Sequence, residues 1–469
     1  MFRVMCLCAS CLGTLSAVAQ TQVVTLQTSK SVGEEVTLVV NPGADVTVDW
    51  GDANPVKTRQ DTLVGVLKGT TVTVSGGPLW NTLGCEGNRI VSMNLTRATF
   101  LKALFCAHNE LTALSLPTSG ALTDLDCSYN RLTSFVPRAS GLLTLDCSHN
   151  ELTQFALTFA PAVRVLDCSY NKLASLAFTN ANAALEYLAC NDNRLTRISL
   201  PAGMTNLNSL YCFRNELETL SVGTRDSLEN LWCDANRITA LDLSKCPDLK
   251  TLSVSKNRLN SIAYPSVATK SDYTLVSIQE NNLGYNYFLP RQSVEDYNTC
   301  FTYTYAPQNR LVVVDAVDVG EQLDFSAQYK NAAGKVNGPS FRLYLADGTE
   351  LVQDTDYARS AGKITFLKGF ADSVYVGITA GSAYYPGLTI ETSRIKVTDP
   401  MGIGTVKNSS GLLMDTTEGV LTLSAGRVVD VKIHNIEGMQ VWEGRVSVTP
   451  VRVALPKGLY IVNGKKISL

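Results

Sequence analysis

The sequence predicts a mainly β protein: a parallel β-solenoid of leucine-rich units flanked by small β-sandwich domains of immunoglobulin-like type. Three observations carry this prediction. A unit of the form L-x-x-L-x-C-x-x-N-x-L recurs ten times across residues 79–290. On either side of that array the apolar residues switch to the two-residue alternation of half-buried strands. The chain, at 469 residues, is also too long for one compact core, so it must form a repeat array or several domains.

At the N-terminus, Met1 and Arg3 precede an apolar run to Val18, with Ala17 and Ala19 in the small-x-small arrangement of a signal-peptidase site. Residues 1–19 are expected to be a signal peptide, and the mature chain to begin at Gln20. Cys8 stands where a lipoprotein signal wants Leu, which disfavours Cys11 as a lipid-attachment residue. No later segment has the roughly 18 uninterrupted apolar residues of a membrane helix. Residues 20–78 alternate as strands, as in Val36, Leu38 and Val40, with turns at Asn41-Pro42-Gly43 and Trp50-Gly51-Asp52. They are expected to form a β domain that caps the first coil, because solenoids expose apolar ends. Within it, VTVDWGD at Val46 to Asp52 resembles a strand and turn of polycystic-kidney-disease-type β-sandwiches.

The repeat itself is defined by Asn88, Asn109, Asn130, Asn150, Asn171, Asn193, Asn215, Asn236, Asn257 and Asn281, spaced by 20 to 24 residues. That is the period of leucine-rich repeats. A short strand points its Leu and Cys into a core that a single repeat cannot close, and stacked neighbours close it. The Asn at the following turn can satisfy backbone groups of adjacent coils that would otherwise be buried unpaired. With strands about 4.8 Å apart, ten of them give a ribbon of roughly 45 Å.

Eight of the thirteen cysteines form one column: Cys85, Cys106, Cys127, Cys147, Cys168, Cys190, Cys212 and Cys233. In-register parallel strands hold equivalent Cβ atoms about 4.8 Å apart where a disulfide wants about 3.8 Å, so these residues are expected to stay thiols and to fill the interior as small hydrophobes. Val254 and Ile278 take the same slot in the last two repeats. Cys246 and Cys300 lie outside the column, and their state is left open. At the position after the ladder Asn, through Arg89, Glu110, Arg131, Glu151, Lys172, Arg194, Glu216, Arg237 and Arg258, most neighbours along the stack carry opposite charge. This reads as a solvated edge with modest register support.

The outward strand positions are free to vary for a partner. They place Asp124, Asp126, Asp146 and Asp167 in repeats three to five, then Tyr187, Tyr211, Phe213, Trp232 and Asp234 in repeats six to eight. This candidate ligand-binding face is acidic and then aromatic, and clustered exposed aromatics are enriched at interfaces. The Asp row fits a repeat consensus better than a calcium site, which needs oxygens converging from several directions.

Other function classes find little in the sequence. The balance of 40 Lys plus Arg against 42 Asp plus Glu, net −2, provides no broad electrostatic footprint for nucleic acid or anionic lipid. Of the three histidines, His108 and His149 lie two repeats apart and His434 is far along the chain, so no catalytic triad assembles from them. There is no phosphate loop, nucleophile elbow or clustered metal motif. The expectation is therefore a non-enzyme with no catalytic residues, metal or cofactor.

Beyond residue 291 short alternating runs return: Leu311 to Val314, Phe341-Leu343-Leu345 before Asp347-Gly348, Ile364-Phe366, and Val374-Val376-Ile378. Residues 291–400 read as an immunoglobulin-like sandwich, 401–411 as an exposed linker, and 412–469 as a further β domain.

In that last domain Asn435-x-x-Gly438, LPKGLYIV and Lys465-Lys466 resemble the C-terminal sorting domain of type IX secretion. The resemblance covers nearly the whole tail and implies passage through the type IX machinery to the outer surface of a member of the Bacteroidota. LDCSYNRL at Leu125 to Leu132 and LDCSHNEL at Leu145 to Leu152 resemble the internalin J type of leucine-rich repeat. Together these features resemble internalin-J-like surface proteins of the Porphyromonas type, a family associated with adhesion and biofilm formation. The expected function is a secreted or cell-surface adhesin holding a host or neighbouring bacterial surface protein, or a glycan, on the outward strand face. The alternative is a self-associating structural protein of the biofilm matrix.

Overall fold

The computed structural model describes residues 21–289, 302–399 and 412–468, apart from interruptions at 42, 118–119, 266–272, 335, 382–384, 386–387, 418–419, 426 and 464. The expected signal peptide, the linker and Cys300 lie outside the described residues. The chain divides into two compact units, Met1–Ile278 with Cys300–Thr304, and Gln279–Thr299 with Tyr305–Leu469.

The first unit is a parallel β-solenoid. Each repeat contributes a three-residue strand, from Thr82–Gly84 through Asp124–Asp126 and Tyr187–Ala189 to Leu275–Ser277, and Thr302–Thr304 adds one more. These strands lie side by side in repeat order within a thirteen-stranded sheet. Register is residue for residue, as in Leu125↔Leu145 and Leu145↔Leu166. The central Leu of each strand is buried, while its two neighbours face outward. That is the period-2 geometry of a strand applied once per coil. On the other side of the coil, shorter parallel pairs form between Arg197–Ser199 and Thr219–Ser221, and between Ala240–Asp242 and Ser261–Ala263.

At its N-terminal end the sheet continues into two antiparallel strands, the outer of which, Thr62–Val66, is its edge. Glu35–Val40 pairs antiparallel with Thr62–Val66 and also with the first repeat strand through Val39↔Gly84 and Val40↔Leu83. A second, five-stranded sheet places Gln22–Thr28 between Thr71–Gly76 and Ile90–Asn94, so the return strand of the first repeat joins the N-terminal sheet.

The asparagine ladder runs through the interior. Asn130 Nδ2 donates to the carbonyls of Cys106 in the preceding coil (2.9 Å) and of Cys127 and Ser128 in its own (3.1 and 3.0 Å), while its Oδ1 accepts from Leu111 N–H (2.9 Å). Asn150, Asn171, Asn193, Asn215 and Asn236 repeat the pattern. Each buried amide thus joins two coils at groups that would be costly to leave unpaired. Just before it the chain turns through the left-handed region, with φ from 50° to 54° at His108, Tyr129, His149 and Tyr170. A non-glycine residue is uncommon there. The bonded Asn beside each one holds the turn.

The eight column cysteines and Cys246 are buried free thiols. Burial pushes the Cys85 thiol up to about 12 and Cys246 to about 11, and the rest of the column from Cys106 to Cys212 is raised further. The thiols so raised are packing groups with little thiolate character.

In the second unit, Ser340–Leu345, Val374–Thr379 and Thr389–Glu391 form one antiparallel sheet, and Gln322–Asp324, Lys363–Phe366 and Tyr357–Ser360 another. The short turn Tyr285–Tyr287, which follows the last ladder position, packs into this unit. Tyr285 donates its hydroxyl to Leu388 O (2.7 Å), and its ring lies against Phe288 and Tyr385. The final strands form sheets of three and four around one core that includes Leu421, Leu423, Val431, Ile433, Val446 and Val462.

Candidate functional site

The outward face of the solenoid sheet carries three columns of side chains, one residue per coil. In the first, Asp124 is followed by Thr144, Val165 and Tyr187; in the second, Asp126, Asp146 and Asp167 are followed by Ala189, Tyr211 and Trp232. The third column, just past the cysteines, holds Ser128, Ser148 and Ser169, then Asn191, Phe213 and Asp234. All nine candidate residues are half-buried and lie on this face.

The acidic residues serve the coil as well as facing outward. Asp126 Oδ1 accepts from Ser128 N–H (2.9 Å) and Oγ–H (2.7 Å), and Asp167 accepts from Ser169 in the same way. Asp146 Oδ1 accepts from Ser148 N–H (2.9 Å). The D-C-S sequence therefore fixes the turn after each strand. Burial, followed by the like charges of Asp167 and Asp126, holds Asp146 above the usual carboxylate range despite the Ser148 bonds. Asp234 braces the next coil, its Oδ1 accepting from Ser253 Oγ–H, Ser255 N–H and Ser255 Oγ–H. Asp124 accepts from Thr123 Oγ1–H (2.7 Å).

The aromatic residues cluster because Ala189 leaves room between columns. Tyr187 reaches Tyr211 at 5.3 Å between centroids, and Tyr211 reaches Trp232 at 6.1 Å, both tilted. Phe213 stands apart from these rings, with the Arg214 guanidinium 5.9 Å from its centroid.

A second feature was not foreseen from the sequence. His108, Tyr129, His149 and Tyr170 stack in one continuous column, with centroids 4.1, 4.0 and 4.1 Å apart and planes within 15°. Tyr129 fills the space between the two histidines. The stack lines a shallow groove of about 760 Å³ that also touches Glu110, Arg131 and Lys172. The alternating His and Tyr before each ladder Asn was the available signal. Beside the stack the charge row pairs as its alternation suggests, with Arg131–Glu110 at 3.8 Å, Lys172–Glu151 at 2.8 Å and Arg237–Glu216 at 3.0 Å. Arg89 instead reaches Glu34 of the N-terminal segment at 3.8 Å.

Among the described residues, no group of three or more His, Cys, Asp or Glu side chains is placed to hold a metal ion. No helix among them is long and apolar enough to cross a membrane.

The sequence matches no family model and no curated protein. Solved structures similar to the chain include the functional domain of InlJ from Listeria monocytogenes, which includes a cysteine ladder. That match has 18% identity and a TM-score of 0.48, and covers 69% of this chain and 72% of the other. The chain's own 20- to 24-residue repeats, each with a buried strand Leu and a ladder Asn, make the solenoid one of the leucine-rich-repeat class. YopM from Yersinia enterocolitica is similar at 25% identity and TM-score 0.35, covering 47% of this chain and 50% of its own. The internalin InlF, also from Listeria monocytogenes, is similar at 18% identity and TM-score 0.36, covering 49% and 82%.

Proposed function

We propose that this chain is an exported surface adhesin that holds a protein partner on the outward face of its leucine-rich-repeat sheet. The observation that carries this reading is the contiguous cluster of Tyr187, Tyr211 and Trp232 on the outward side of the sheet, each half-buried. Large rings fixed on a rigid scaffold provide contact area with little ordering cost, which is the usual anatomy of a binding hot spot.

Export and attachment are inferred from sequence. The first 19 residues have the pattern of a signal peptide, and residues 412–469 resemble a type IX sorting domain, which would place the chain on the outer surface of a member of the Bacteroidota. In this partition, residues 20–78 cap the array, 79–290 bind the partner, and 291–400 and 401–411 act as spacer and linker. The partner would be a surface protein of a host or neighbouring cell, and biofilm formation would follow from holding cells together.

The test is adhesion of beads coated with the full mature chain to epithelial monolayers and to bacterial lawns. Coated beads should be retained, and the Tyr211→Ala/Trp232→Ala variant should lose most of that retention. Equal retention of the variant would overturn the assignment of the face. Beads that adhere only to other beads coated with the same chain would replace adhesion with matrix self-association.

A further inference from the structure

We propose that the outward face is shaped for a cationic partner: an arginine-bearing protein segment laid across the coils, its guanidinium groups over Asp126, Asp146 and Asp167 and against Tyr187, Tyr211 and Trp232. This rests on the reading of the face as the partner-binding surface and adds the partner's chemistry.

The argument begins with a contrast in charge pairing. Six carboxylates elsewhere on the solenoid meet a cation from the neighbouring coil: Glu110–Arg131, Glu151–Lys172, Glu186–Arg164, Asp192–Arg214, Glu216–Arg237 and Glu229–Lys250. Among the described residues, Asp126, Asp146 and Asp167 make no such pair, although they are direct neighbours along the sheet. Stacking three like charges at strand spacing is unfavourable, and partial burial of Asp146 worsens it. A cation supplied from outside relieves both costs.

Each of these carboxylates spends Oδ1 on the serine two residues later. Oδ2 makes no hydrogen bond within the described residues, so three acceptors recur at one per coil. The column then passes Ala189 and meets the rings of Tyr211 and Trp232, with Tyr187 alongside in the adjoining column. Among the described residues, no Lys or Arg of the chain lies over these three rings.

The same geometry selects among cations. Carboxylates one coil apart on parallel strands point the same way, whereas a calcium ion needs six to eight converging oxygens. The row therefore suits a string of separate cations on an extended chain. Guanidinium suits it better than ammonium, since it takes a carboxylate through its fork and stacks flat on an aromatic face.

The experiment uses the immobilised full mature chain and three synthetic peptides of equal length, in which every second residue is Arg, Lys or Gln. The Arg peptide should bind at least about ten-fold more tightly than the Gln peptide, and more weakly as salt is raised. Asp126→Asn/Asp146→Asn/Asp167→Asn should lower its affinity by about ten-fold or more. Asn keeps the side-chain shape and the acceptor for serine, and an unchanged melting profile confirms that the coil is intact. Tyr211→Ala/Trp232→Ala should abolish the preference for Arg over Lys. Equal binding of Arg and Gln peptides, or an undiminished Asn variant, overturns the proposal. Bead adhesion separates this proposal from the underlying reading. Adhesion lost in the aromatic variant but kept in the Asn variant overturns the cationic partner alone, whereas adhesion kept in both overturns the face as well.

Discussion

At the residue scale, the ladder asparagines are the most heavily committed side chains in the protein. Asn171 donates to the carbonyls of Cys147, Cys168 and Ser169 and accepts from Leu152 N–H. Asn171→Ala strands these groups in the interior and should cost about 3 kcal/mol or more. Hydrogen exchange should show it as faster amide exchange confined to the coils around Cys147 and Cys168, and unchanged protection there would contradict the ladder's role. The lateral ion pairs are different. Lys172 and Glu151 are both well exposed, so Lys172→Ala should change stability by less than about 1 kcal/mol. The Asn role was legible in the sequence because a polar residue at a fixed place in an apolar repeat has few other uses. The serine bonds of Asp126 and Asp167 were less so, because the direction of a side chain at the strand end depends on the turn that follows.

At the element scale, two columns cross the coils, the thiols from Cys85 to Cys233 and the rings from His108 to Tyr170. The thiol column links stability to pH with a definite sign. Burial raises the thiol pKa values in the folded state, so their contribution is complete below the unfolded thiol pKa of about 8.5 and is lost as pH rises past it. Each thiol so raised gives a slope of about 1.4 kcal/mol per pH unit. The urea midpoint of the mature chain should therefore fall steeply from about pH 8.5 upward. A flat profile to about pH 9.5 would contradict the burial of the column. The ring column should behave as a local stabiliser. Tyr129→Ala removes two stacked contacts and should cost about 1 to 3 kcal/mol, read as a lower denaturation midpoint. The strand, cysteine and asparagine columns were visible as periodicities, whereas the ring stack was not. His and Tyr look dissimilar in sequence, and only the left-handed turn at each position aims them along the same line. The pairing of Val39 and Val40 with the first repeat strand was also hidden, because contacts between distant segments leave no local pattern.

At the scale of the whole molecule, the account assigns different work to different stretches. The solenoid provides the sheet, and the N-terminal segment pairs with its first strand through Val39 and Val40. The tail would bring the chain to the surface. Cells making a chain that ends at Pro400 should release it or retain it inside the envelope, and surface proteolysis of intact cells checks this by comparing the truncated and full chains. Equal display of both would remove the sorting role from the tail. The repeat class could be read from one sequence because each repeat restates the same constraint. The partner could not, since outward positions are the ones that the repeat leaves unconstrained.

The central claim is that a partner sits on the outward sheet face. The most direct test places a photoreactive phenylalanine analogue either at position 211, on that face, or at position 199, an exposed position on the opposite side of the coil. Both chains are displayed on cells adhering to their target and irradiated. The account predicts a crosslinked partner from position 211 and none from position 199. Crosslinking from position 199 alone, or equally from both, would contradict it.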